Sequence, residues 1–267
     1  MKKPARAQGQ ILYPIEDWDG RQEGEKILLY GESGMGKTTL AALREDVVFI
    51  GIDDGGRKLR HPVTNEPLKR IGSDVTTFQE VLGILDYLAI SKDIPKAIVV
   101  DTVTKLQDLA EPWIFKTTAG PKNSLVKNLE GYGYNKGYRH LYDAMRLILG
   151  SCDKLIRRGM DVILIAQSIS TKVANSSGED YLKDIPHLYA GKPSIATLYV
   201  EWADHVVKID YLNTFVKGEK KTGSTERALF IRPQVYYTAK SRTLDAEVIS
   251  FATKKDNSFW ELLDETR

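Results

Sequence analysis

Eight residues constrain this chain more than any others. Gly31-Glu32-Ser33-Gly34-Met35-Gly36-Lys37-Thr38 fits G-x-x-x-x-G-K-[ST] at every fixed position. The apolar run 27–30 precedes it, and Thr39-Leu40-Ala41-Ala42-Leu43, good helix formers, follow. Strand, glycine-rich turn and helix in that order form a phosphate-binding loop. The glycines let backbone N–H groups turn inward around phosphates, with the positive end of the helix dipole behind them. In such a loop the lysine reaches the β- and γ-phosphates, and the hydroxyl of the last residue ligates Mg2+. The sequence therefore predicts ATP binding by Gly31, Ser33, Gly34, Met35, Gly36, Lys37, Thr38 and Thr39, with Thr38 also on the metal.

From residue 26 onward, short apolar runs alternate with helical patterns, which predicts an α/β fold with a mainly parallel sheet flanked by helices. Strands are expected at 27–30, 47–52, 97–101 and 161–166, each a continuous apolar run suited to burial on both faces. Thr77-x-x-Glu80 reads as a capping box opening a helix with Phe78, Val81, Leu82, Leu85 and Leu88 on one stripe. A second helix carries Tyr138, Leu141, Tyr142, Met145, Ile148 and Leu149. The last third changes character: 206–209, 228–231, 235–238 and 248–251 predict successive strands, a β-rich C-terminal extension of the sheet. Residues 1–25, polar apart from Ile11-Leu12-Tyr13, are expected to be an N-terminal extension, and 26–267 one ATPase domain.

With 267 residues, 42% of them hydrophobic, the chain can bury a substantial core. Lys plus Arg number 38 against 36 Asp plus Glu, so no overall basic field announces a nucleic-acid partner. Cys152, the one cysteine, excludes an internal disulfide and a Cys-rich zinc site; it falls at a predicted helix start and receives no role. His61, His140, His187 and His205 lack ligand spacing, and Trp18, Trp113, Trp202 and Trp260 are expected as core or interface anchors. No apolar run approaches the ~18 residues of a membrane span, and the basic N-terminus lacks the apolar stretch of a secretory signal. A soluble, cytoplasmic protein with no membrane partner is expected.

Ala97-Ile98-Val99-Val100-Asp101 has the form of the second, acidic motif of such proteins, with Asp101 on the metal; capping of the next helix by Asp101 or Thr102 is the alternative. Thr102 stands where a hexameric AAA+ motor carries its catalytic Glu, which disfavours that class. Asp53-Asp54-Gly55-Gly56 fits D-x-x-G, but no N-K-x-D motif follows, so a GTPase is disfavoured too, and no ABC-type signature is present. The apolar run 47–52 ends in Asp53-Asp54, 162–166 ends in Gln167, and Ala239-Lys240-Ser241-Arg242 follows a further run. In this order the chain resembles RecA-like recombinase cores, and more narrowly the phage-encoded, Sak-type ATPases of single-strand-annealing recombination, over roughly 26–252.

The resemblance implies a RecA-like P-loop core that uses ATP and Mg2+. It implies that Asp54 polarises the attacking water, with Asp53 competing, and that Gln167 senses the γ-phosphate. Lys240 and Arg242 would reach the γ-phosphate of a neighbouring subunit in a homo-oligomer; two solvated cations on one strand is the alternative. It further implies two DNA-facing loops, at about 117–137 and 168–193. The stretch 116–158 carries nine Lys and Arg against three carboxylates, and Gly131-Tyr132-Gly133-Tyr134 offers aromatics for base stacking. Lys127, Tyr132, Tyr134, Lys136 and Lys172 are the candidate contacts to single-stranded DNA, whereas Tyr138 and Tyr142 fall on the apolar stripe. A partner annealing or single-strand-binding protein, and the cytoplasm of a phage host, follow from the same resemblance. A small-molecule or nucleotide kinase and a non-catalytic ATP- or DNA-binding loader are the rivals.

Overall fold

The strands of the core form because their residues are apolar at every position, so both faces can be covered. The computed structural model describes residues 20, 22–52, 54–72, 74–175, 178–212, 214–217, 220–223 and 226–267; for Asp54 and 214–223 it describes the backbone only. Asp53, Ile11-Leu12-Tyr13, Trp18, Ser176 and Ser177 lie outside the described residues.

The chain runs β1 (Lys26–Gly31), α1 (Lys37–Ala42), β2 (Val47–Gly51), α2 (Phe78–Ile90), β3 (Ala97–Asp101), α3 (Val103–Thr117), α4 (Lys136–Ile156), β4 (Asp161–Val173), β5 (Tyr181–Pro186), α5 (Ile195–Trp202) and β6 (His205–Tyr211). It continues through β7 (Thr214–Lys217), β8 (Lys220–Gly223), β9 (Arg227–Phe230), β10 (Lys240–Ser241), β11 (Val248–Ser250) and α6 (Ser258–Glu265). The main sheet has the order β11-β9-β6-β1-β4-β3-β2. Strands β6, β1, β4, β3 and β2 are mutually parallel, and β9, β10 and β11 add antiparallel beyond them. The expected α/β architecture, with its β-rich C-terminal extension, is thus the one the chain forms.

Alternation along each strand divides the core in two. Leu28 and Tyr30 of β1 face α2, α3, α4 and α5, whereas Ile27 and Leu29 face α1 and α6. The capping box is formed as expected: Thr77 accepts from Glu80 N, and Glu80 accepts from Thr77 N. Such a cap contributes about 1 kcal/mol. Cys152 lies in the C-terminal half of α4, not at a helix start, and its burial pushes the thiol pKa up.

Two differences from expectation have physical causes. Residues 235–238 form a turn, not a strand: Val235 and Tyr236 are exposed, and the buried Tyr30 hydroxyl claims Thr238, donating to its O (2.5 Å) and accepting from its N (3.1 Å). Residues 168–193 contain a β-hairpin, because β4 runs seven residues past Ala166 and pairs β5 from Ser168↔Pro186 to Val173↔Tyr181. The parallel registers bring Gly31, Gly51, Asp101 and Gln167 to one edge of the sheet. Among the described residues no helix is long and apolar enough to cross a membrane.

Candidate nucleotide site

The loop after β1 closes tightly on its own lysine. Gly36 takes φ 100°, a left-handed value that favours glycine, and a Cβ there would stand 2.6 Å from Arg227 Nη1. Lys37 is 6% exposed, and its Nζ donates to Gly31 O (2.8 Å), Glu32 O (2.8 Å) and Gln167 Oε1 (3.1 Å). The ammonium is thereby fixed at the mouth of the loop, in contact with the tip of β4. Ser33 and Gly34 are exposed at the turn, Met35 is buried beneath it, and Thr39 is half-buried in the first turn of α1.

Thr38 Oγ1 donates to Asp101 Oδ2 at 2.8 Å. The helix cap that Asp101 was free to provide is made instead by Thr102, whose hydroxyl accepts from Lys105 N. A buried carboxylate and a hydroxyl oxygen side by side at a helix N-terminus are hard oxygen donors, so the residues fit a Mg2+ ion. Asp54 opens a single 3-10 turn, Asp54–Gly56, and Gly56 stands against the Thr38 methyl.

Gln167 occupies a junction. It is the last residue of β4 paired with β1, opposite Gly31, and the next residue begins the hairpin with β5. Its backbone N donates to Thr104 Oγ1 of α3 (3.0 Å), and its O accepts from His187 N (2.7 Å) just beyond β5.

Arg227 was not legible in the sequence. It lies about 190 residues beyond the loop, at the start of an ordinary apolar strand, and only the folded sheet brings it near. Its Nη1 donates to Met35 O (3.1 Å), and its guanidinium lies 4.8 Å from the centre of the Phe251 ring. Arg227→Ala is expected to weaken ADP binding about 3- to 10-fold in calorimetric titration, the net worth of one ordinary hydrogen bond that orders the loop. Unchanged affinity would remove Arg227 from the site.

The remaining candidates scatter. Lys240 pairs with Val206 at the start of β6, the edge opposite the phosphate loop, and its Nζ donates to Val200 O and Glu201 O at the end of α5. Arg242 pairs with Asp204 at 2.8 Å. Neither reaches the loop of its own chain. Tyr132 is corrected as a stacking residue: its ring is 3% exposed, set against Phe115 and His140, and its hydroxyl donates to Thr118 O at 2.8 Å. Tyr134 is 99% exposed, and Lys127 and Lys136 are exposed without an ion pair among the described residues. Lys172 pairs with Asp180. Tyr138 of α4 stacks on Tyr189 at 4.6 Å and donates its hydroxyl to Glu130, so α4 links the segment 118–135 to the segment following β5.

The profile of a protein family described as AAA domain matches residues 23–243, which include the phosphate loop, Asp101 and Gln167. The chain belongs to the AAA domain family. It is therefore a P-loop ATPase domain built to bind nucleotide. Thr102 stands where a hexameric motor carries its Glu, and the chain is nonetheless within the AAA domain family. No curated protein matches the sequence. Among solved structures, the RadB recombinase is similar over 87% of this chain and 89% of its own, at 14% identity and a TM-score of 0.47. A KaiC-like protein from the hyperthermophilic archaeon Pyrococcus horikoshii is similar over 86% of this chain and 90% of its own, at 16% identity and a TM-score of 0.45.

Proposed function

We propose that this AAA domain is a Mg2+-dependent, RecA-like ATPase that acts with single-stranded DNA in recombination or annealing, of the Sak type and in the cytoplasm. The observation that carries the reading is the position of Gln167. Its side chain touches Lys37 at the phosphate loop, and its backbone is the root of the β4–β5 hairpin. A change at the γ-phosphate would pass through this side chain to a surface element. Thr38 and Asp101 would hold Mg2+, which neutralises charge on the phosphates when bound. Lys37 would stabilise charge on the γ-phosphate, and Asp54, or Asp53, would orient the attacking water. Lys240 and Arg242 would act on the site of an adjacent copy, since they do not reach their own. The reading takes 26–267 as one ATPase domain, supported by α6, where Trp260 Nε1 donates to Leu40 O of α1.

Lys127, Tyr134 and Lys136 form the DNA contact in this reading, with Lys172 on the hairpin. Steady-state hydrolysis is expected to rise on adding single-stranded DNA. Gln167→Ala is expected to lose most of that stimulation while ADP affinity stays within about twofold. The triple alanine variant of Lys127, Tyr134 and Lys136 is expected to weaken DNA binding about 10- to 100-fold, from one lost stack and two lost phosphate contacts. Hydrolysis indifferent to DNA, together with no DNA affinity, would overturn the proposal in favour of a kinase. Tight nucleotide binding without hydrolysis would favour the loader.

A further inference from the structure

Beside the nucleotide site, on the β2 side, lies a second cavity of about 840 Å3. None of residues 31–38 lines it. It meets the nucleotide site at Gly51 and Asp101 on the sheet edge and at Gly56, the residue standing against Thr38. Its outer wall is the connection from β2 to α2, and backbone pairing holds that wall in place. Phe49 N donates to Lys69 O (3.0 Å), Ile71 N donates to Phe49 O (2.9 Å), and Arg60 bridges Pro67.

The lining has two chemistries. Arg57, Lys58, Arg60, Lys69, Arg70 and Lys105 stand around it against two carboxylates, Asp74 and Asp101. Lys69, Arg70 and Lys105 are paired with Asp46, Asp74 and Asp108, but the side chains of Arg57, Lys58 and Arg60 have no ion pair or hydrogen bond among the described residues. Beneath these cations Phe49, Leu68 and Val75 supply apolar surface, Phe49 and Val75 being buried. Uncompensated arginines favour phosphate, which they bind with a planar fork of donors. The volume is that of a small-molecule pocket. A polymer backbone runs along an open groove, whereas a concavity with an apolar floor is filled by a discrete molecule.

We propose that this cavity binds a small phosphorylated molecule of about nucleotide size, its phosphate on Arg57, Lys58 and Arg60 and its apolar part on Phe49, Leu68 and Val75. The proposal goes beyond the ATPase reading and does not depend on DNA binding.

The test is calorimetric titration of thymidine 5′-monophosphate into protein holding one equivalent of ADP with Mg2+, so that the phosphate loop is filled and no excess ADP competes for the cavity. One equivalent is expected to bind. The double variant Arg57→Gln/Arg60→Gln is expected to weaken it at least tenfold while ADP affinity and melting temperature stay unchanged. Inorganic phosphate is expected to bind at least tenfold more weakly than the nucleotide, because it gains nothing from the apolar floor. Three results would overturn the proposal: no binding of either probe, binding that the double variant leaves intact, or oligothymidylate displacing the monophosphate with higher affinity. The last would make the cations part of a nucleic-acid track. Repeating the titration on Lys37→Ala reads the cavity even where ADP fails to bind, so a failed nucleotide site and a failed cavity give different results.

Discussion

Lys37→Ala is expected to lower ATP turnover by at least about 100-fold, the usual effect of deleting one fixed donor on developing transition-state charge. Among the described residues the carbonyls of Gly31 and Glu32 and the Gln167 amide oxygen hold the ammonium at the mouth of the loop, so an arriving phosphate has only to replace one of these acceptors. Deletion also cuts the contact between the loop and β4, so any residual turnover should no longer respond to DNA. Phosphate release measured with purified variant and parent checks the first effect, and the same assay with added DNA checks the second. Lys37→Arg should recover little, since a planar guanidinium cannot place three donors where a compact ammonium does. Turnover within tenfold of the parent in Lys37→Ala would show that hydrolysis does not occur at this loop.

The largest expected loss of stability comes from the other end of the sheet. Arg44 is 8% exposed; its Nε pairs with Asp161 Oδ2 at 2.8 Å, its Nη1 with Asp264 Oδ2 at 2.7 Å, and its guanidinium lies over Trp260. Arg44→Ala leaves the Asp161 carboxylate, only 2% exposed, without its chief partner. Removing one member of a buried pair costs about 3–5 kcal/mol, a large share of the ~5–15 kcal/mol that holds a domain together. Glu25 N and Arg267 also reach Asp161, so the lower half of that range is expected by urea unfolding. A loss below 1 kcal/mol in the single variant would contradict the burial argument.

A pH dependence accompanies this. The hydrogen bond from Arg44 holds the Asp264 carboxyl below its ordinary value of 3.8. A lowered folded value means that this contribution is complete above about pH 4 and is lost as the pH falls through the lowered value. Arg44→Ala should therefore flatten the acid limb of the stability profile. Asp264 is half exposed, so solvent screening keeps the effect modest.

The phosphate loop was legible because its chemistry is local: glycines for the turn, lysine and threonine at its end, a strand before and a helix after. The central strands were legible because burial on both faces demands uninterrupted apolar runs. The Thr77 capping box was legible because cap and partner sit three residues apart. What escaped depended on distant chain. Arg227 meets Met35 only through the order of the sheet, and Thr238 leaves the strand pattern where the Tyr30 hydroxyl, 208 residues earlier, and Asp184 O take its backbone groups. Tyr132 has the look of a loop aromatic in sequence, but the end of α3 folds over it. The outer half of β4, Ser168 to Val173, has only Ile169 and Val173 as apolar residues, because it pairs with β5 alone and is not covered on both faces.

That long strand has a mechanical consequence. A single backbone passes from the sheet interior through Gln167 and on to Val173 without a break, and β5 is bonded alongside it for six residues. The inner half of this two-stranded arm is tied down, since Asp184 of β5 accepts from Lys208 Nζ and from Thr238 N and donates its own N to Tyr236 O. Only the outer half, Thr171–Val173 with Tyr181–Lys183, is free of those ties, and its three residue pairs span about 10 Å.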